Sequence, residues 1–176
     1  MRIAEFKFDR PREVAWSADR SRLLGSLAGR ASMRRATCGK AVKEVVRNAI
    51  NKGKTGTIQF GLQIQEKQQI EIVIRYPPSD EHGTSDDDVD WAAIRSWVDD
   101  VETVSEDSMF QVRLVEPLPA EAPRIPPEVA SDWATALATR NRTNALSLSQ
   151  RRITELAENL KSAQQHGVDL QSELDN

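Results

Sequence analysis

Lys40-Ala41-Val42-Lys43-Glu44-Val45-Val46-Arg47-Asn48-Ala49-Ile50-Asn51-Lys52-Gly53-Lys54-Thr55-Gly56 is the stretch whose reading decides the fold. Together with Cys38, the residues Ala41, Val42, Val45 and Ala49 recur at helical spacing and make one side of a helix apolar. At about 100° per residue, Glu44 and Asn48 stand one turn apart and beside that stripe rather than opposite it. They are expected at the rim of the core, where a helix lines a cleft. Ser32 is a suitable cap for the start of this helix, and Gly53 supplies its stop.

Outward from this helix the pattern is mixed. Ile3, Glu5, Lys7 and Asp9 alternate with Ala4, Phe6 and Phe8, which predicts a half-buried strand. Pro11 suits the first turn of a following helix, where its missing N–H costs nothing. Residues 12–29, with Val14, Ala15, Leu23, Leu24, Leu27 and Ala28, predict that helix, weakened slightly by Gly25. Trp16 falls outside its stripe, which would leave it exposed. On the other side, Ile58, Phe60, Leu62 and Ile64 alternate with polar residues, as do Ile70, Ile72 and Ile74. Two strands joined at Lys67-Gln68 make a hairpin, ended by Pro77-Pro78. Residues 79–88 (SDEHGTSDDD) read as a charged loop. Residues 89–101 predict a short amphipathic helix, and Thr103-Val104 with Met109–Val115 predict a closing hairpin. Strand, helix, helix, two strands, helix, two strands is an α+β order: a two-layer sandwich, with helices on one face of a mostly antiparallel sheet.

Residues 1–116 form that sandwich in this reading. Residues 117–127 (PLPAEAPRIPP) hold five prolines in eleven positions and predict a semi-rigid linker. Residues 128–176 then predict a long helix. Leu146, Ser149, Ile153, Leu156, Leu160, Ala163, Gly167, Leu170 and Leu174 fall on a heptad seam, imperfect at Ser149 and Gly167. A lone helix of this length would expose its stripe. Coiled-coil homodimerisation covers it; the alternative is that the helix folds back onto the domain.

The chain has 176 residues, 39% of them hydrophobic, which bounds it at one domain with an appendage. Its apolar runs are too short for a membrane helix, and the N-terminus has no signal-peptide core. A single cysteine, Cys38, rules out an internal disulfide and suits a reducing cytoplasm. On the apolar side of its helix, Cys38 reads as buried filler. The net charge of −3 hides an asymmetry: residues 1–54 hold 14 Lys/Arg against 5 Asp/Glu, whereas residues 79–107 hold 11 acids against Arg95. Two such patches either neutralise each other within the fold or dock charged partners.

Glu44 and Asn48, followed by Lys52 and Gly53 and the Thr55-Gly56 entry into a strand, resemble the N-box of the histidine-kinase/heat-shock-chaperone ATPase superfamily. The likeness is greatest to the anti-sigma-factor serine kinases of bacterial partner switching, and it covers residues 3–116. It implies that Glu44 acts as a base or orients a water, and that Asn48 holds a magnesium ion bridging nucleotide phosphates. Residues at i and i+4 project side by side and can share one such network. Lys52 and Gly53 would complete the ATP contacts.

The chain departs from the pattern at two other places. The family places an aspartate-glycine-glycine turn after the second hairpin strand, to hold adenine; here the aligned stretch is Ile74-Arg75-Tyr76-Pro77-Pro78-Ser79. It also places a glycine-rich, phosphate-cradling lid before the next helix. Here that junction reads Asp86-Asp87-Asp88-Val89-Asp90-Trp91, whose four aspartates oppose a polyphosphate. With the nucleotide motifs degenerate, Glu44 would pair with Arg75 or Lys40, and Asn48 would bridge backbone groups. The expectation is a cytoplasmic regulatory module without a bound cofactor, meeting a sigma-factor or antagonist-class protein and no membrane. The alternative is an active ATP/Mg-dependent serine/threonine kinase, with Glu44 catalytic and Asn48 on the metal. A further alternative is nucleic-acid binding by the basic N-terminal half, which the strands that follow it disfavour. His82 and His166, the only histidines, support neither a zinc site nor a nucleophile pair. Trp91, Trp97 and Trp133 read as packing anchors.

Overall fold

A computed structural model describes residues 1–64, 67–78, 89–106, 108–120 and 122–139. Strand β1 (Arg2–Phe8) is followed by α1 (Arg12–Leu27) and α2 (Ser32–Asn51), then by strands β2 (Gly56–Ile64) and β3 (Gln68–Tyr76). A short helix α3 (Trp91–Trp97) leads into β4 (Asp100–Glu106) and β5 (Met109–Pro117), and α4 (Pro127–Thr139) closes the described chain. The five strands form one antiparallel sheet in the order β1-β2-β3-β5-β4. The α+β expectation holds for these residues.

The two-residue period of the strands builds the core. Ile58, Phe60 and Leu62 of β2, Ile70, Ile72, Ile74 and Tyr76 of β3, and Val112 and Leu114 of β5 turn inward. They meet Leu23 and Leu24 of α1 and the stripe Ala41, Val42, Val45, Val46 and Ala49 of α2, every one buried. The opposite face of the sheet is a polar ladder. Arg75 donates to Gln111 at 2.8 Å and to Gln59 at 3.2 Å, while Arg113 binds both Glu71 and Glu102.

Both long helices end in the same way. Gly53 sits at φ +70, its N–H bonded to the Ile50 carbonyl at 2.9 Å, and the Lys54 N–H reaches Ala49 at 2.9 Å. Gly29, at φ +72, and Arg30 repeat the arrangement with Ser26 and Gly25. This is the glycine-terminated cap expected at Gly53.

The structure corrects the local expectations in five places. Ser32 is the first residue of α2 rather than its cap: Ala31 holds the cap position, and no side chain bonds the helix start. In β1 the pairing register shifts between Arg2 and Ala4, and Ile3 joins Phe8 in the core. An extra residue in one strand re-aims its neighbour, which simple alternation does not anticipate. The helix expected over residues 89–101 stops at Trp97: Val98 is extended, and Val101 opposes Leu114 in the ladder between β4 and β5. Both valines suit a strand as well as a helix stripe, and sheet pairing decides. Trp16 is half-buried, with the Arg20 guanidinium 4.1 Å from its ring centroid and 3.9 Å from that of Phe6. Ala15, placed on the apolar stripe of the first helix, is exposed.

The proline-rich stretch is strapped to the sheet. The Leu118 N–H bonds the Gln68 carbonyl, the Gln68 side chain donates to Pro123 O at 3.0 Å, and it accepts from the Ile125 N–H at 2.8 Å. Leu118 and Ile125 are buried. Helix α4 then packs on β1 and α1 through Val129, Ala130, Trp133, Ala136 and Leu137. Folding back onto the domain thus describes Pro127–Thr139, while the heptad seam Leu146–Leu174 lies outside the described residues. No helix among the described residues is long and apolar enough to cross a membrane.

Candidate functional site

The end of α2, the end of β3 and the start of α3 come together at one edge of the core. Helix α2 delivers Glu44 and Asn48 one turn apart and then turns at Gly53, which sends Lys54 back toward Tyr76. The Lys54 ammonium lies 5.5 Å from the Tyr76 ring centroid. Tyr76, fully buried, packs on Phe110 with centroids 5.3 Å apart, and Phe110 meets Trp91 at 6.4 Å.

Each expected site residue has a definite environment. Glu44 is half-buried and bound through both carboxylate oxygens by Arg47, at 2.5 and 2.6 Å. The sequence had suggested Arg75 or Lys40 as its partner, and Arg47 takes that place. Arg75 belongs to the polar ladder on the other face of the sheet, whereas Arg47 is one helical turn from Glu44 and needs no tertiary arrangement. Asn48 is buried, at 8% exposure, and its Oδ1 has no hydrogen-bond partner among the described residues. The expected bridging of backbone groups by that oxygen is therefore not seen. Lys52 caps α2, its N–H bonded to the Asn48 carbonyl at 3.1 Å. Gly53 is exposed, and a Cβ there would touch nothing within 4 Å. The acids of residues 79–88, and His82 among them, lie outside the described residues.

An oxygen such as Asn48 Oδ1 is a suitable hard-cation ligand. Glu44, neutralised by Arg47, is poorly placed to serve as a base without first losing that partner. No group of three or more His, Cys, Asp or Glu among the described residues could hold a metal ion. The tyrosine-phenylalanine-tryptophan cluster was missed in the sequence as a unit, although Tyr76 continues the alternation of Ile70, Ile72 and Ile74 and so was legible as inward-facing.

A second constellation had no local signal at all. Arg30, just past the α1 cap, donates to the Pro117 carbonyl and to Glu116, and reaches Asp99 at 3.2 Å. Arg34 holds the other Asp99 oxygen at 2.9 Å. Asp99 comes from the acidic stretch and the arginines from the basic one, so part of the charge asymmetry cancels inside the fold. Beside them, Cys38 is buried, with its Sγ 3.2 Å from Ser21 Oγ; burial pushes the thiol up to about 12. It is inert filler, as its place on the apolar stripe predicts.

No protein-family model matches the chain, and a search of curated proteins finds no match.

Proposed function

We propose that the chain is a regulatory interaction module: a sandwich resembling the histidine-kinase-type ATPases, degenerate in nucleotide binding, that acts by meeting another protein. The observation that carries this reading is the packing of Tyr76, Phe110 and Trp91. These rings fill the edge of the core at the stretch where the resemblance requires an aspartate, glycines and room for a purine. The ion pair of Glu44 with Arg47 supports the same reading, since it occupies the residue that would do the chemistry. The partner is a regulatory protein of the sigma-factor or antagonist class, and the module dimerises through its C-terminal helix. Because Pro127–Thr139 buries its apolar face against the domain, the dimer contact falls on the seam from Leu146 to Leu174.

One observation favours the kinase alternative: Asn48 Oδ1 is buried without a partner, and burial without a bond costs about 1–3 kcal/mol. A magnesium ion on a bound nucleotide would satisfy it. Titration of a non-hydrolysable ATP analogue with magnesium separates the readings. Absence of binding at millimolar nucleotide is the expected result. Saturable binding that Asn48→Ala abolishes would establish the kinase reading instead.

A further inference from the structure

We propose that the outer side of β4 is a docking edge for an extended, positively charged segment of another protein, which adds to the five-stranded sheet as a further strand. The inference rests on the reading of the chain as an interaction module, and gives that module a surface and a partner chemistry. β4 ends the strand order, and no strand pairs with its outer side. Six of its seven residues are exposed, and only Val101 is half-buried. The opposite edge differs. There the register of β1 shifts between Arg2 and Ala4, and α4 packs against the strand. A bulge and a covering helix are two ways in which a sheet blunts an edge. β4 lacks both along its length: its register on β5 runs unbroken from Asp100 to Glu106, with no proline or lysine in the strand.

The register also fixes which main-chain groups face outward. Glu106 pairs with Met109 across only two intervening positions. The closing pair of so short a hairpin exchanges both of its hydrogen bonds. Bonded and non-bonded pairs alternate from there, so Glu106, Val104, Glu102 and Asp100 turn their N–H and C=O groups toward β5. Val101, Thr103 and Ser105 turn theirs outward, where an incoming strand would bond them.

Side chains select the occupant. Asp100, Glu102, Val104 and Glu106 share one face of β4, the polar face of the sheet. Arg113 holds Glu102 at 2.7 Å, whereas Asp100 and Glu106 have no ion pair among the described residues. Val104, 44% exposed, stands between Glu102 and Glu106. A second copy of the chain is a poor occupant. Antiparallel pairing of two β4 strands about Thr103 would set Asp100 against Glu106 at both ends, and like charges directly opposite are destabilising. A strand with Lys or Arg opposite the three acids and an apolar residue opposite Val104 matches at every position of this face. Repulsion thus guards the edge against self-association and leaves it open to a basic segment.

Amide hydrogen exchange and nitrogen-15 NMR of the full chain test this with two synthetic peptides, Lys-Thr-Val-Thr-Arg-Val-Lys and its acidic counterpart Glu-Thr-Val-Thr-Glu-Val-Glu. The basic peptide is expected to slow exchange at Val101, Thr103 and Ser105 saturably, with an effect that added salt weakens; the acidic one should not. Thr103→Pro removes an outward N–H and no bond to β5, so it should fold and lose the protection. Changing Asp100→Lys and Glu106→Lys together should weaken the basic peptide on the order of tenfold and admit the acidic one. No saturable protection by the basic peptide, equal protection by both peptides, or protection of these amides before any peptide is added would each overturn the proposal. Should Thr103→Pro fail to fold, the charge reversal at two exposed positions still decides. Nucleotide plays no part in these measurements, so failure of the docking edge and failure of the interaction-module reading are separate results.

Discussion

At the scale of single residues, two positions in the helix-to-strand passage separate packing from chemistry. A Cβ on Gly56 would stand 2.3 Å from the Arg75 carbonyl oxygen and 2.5 Å from Phe8 Cζ. Neither neighbour can retreat, because Gly56 opens β2 directly opposite Phe8 in the ladder. Gly56→Ala is therefore expected to lose about 1–3 kcal/mol in urea unfolding. The glycine that suggested a family likeness thus has a packing reason of its own. Asn48 is the opposite case. If its Oδ1 serves no ligand, the apolar and similarly sized leucine removes a stranded acceptor. Asn48→Leu should then keep the wild-type stability or exceed it by about 1 kcal/mol, and a clear loss in the same assay would show that the amide has a partner. The sequence showed that Asn48 sits at a core rim, because helical spacing fixes the angle. It did not show that Glu44 is bound by Arg47, because several cations lay within reach and only the packed helix chose among them.

At the scale of elements, what could be read was whatever period and punctuation dictate. Both long helices end at a glycine, and the β2–β3 hairpin stands where alternation put it. The third helix could not be bounded, since Val98 and Val101 fit either period. Its observed limits come from Asp90, which accepts the Ala93 N–H at 2.9 Å, and from the pairing of β4 with β5. The proline-rich stretch gave no sign that Gln68 holds it, because those bonds span 55 and 57 positions of sequence. Gln68→Ala leaves the Leu118 N–H bonded to the main chain but frees Pro123 and Ile125. The expected outcome is a loss of about 1–2 kcal/mol and several-fold faster trypsin cleavage after the exposed Arg124, followed on gels. An unchanged cleavage rate would mean that the buried Leu118 and Ile125 hold the strap without it.

At the scale of the molecule, α4 joins the described body beyond the proline-rich stretch. Trp133 is 3% exposed and Leu137 fully buried, and the Arg20 guanidinium reaches the Leu137 carbonyl at 2.9 Å. A chain ending at Pro126 should be destabilised by more than about 3 kcal/mol, since loss of one buried tryptophan side chain alone costs that much. A chain ending at Thr139 should keep its stability and, under sedimentation, run as a monomer where the full chain runs as a dimer. Equal masses for the two would refute dimerisation through the seam. By itself the sequence determined the order of strands and helices, the inward face of most of them and the inertness of Cys38. Those properties follow from period, turn chemistry and side-chain type, all local in the chain. Only the tertiary structure decided that Tyr76, Phe110 and Trp91 close one edge of the core, that Arg30, Asp99 and Glu116 meet at another, and that α4 belongs to the body. Each of these joins residues tens of positions apart, and a burial or charge contact at that separation is set by how layers pack, not by any pattern along the chain.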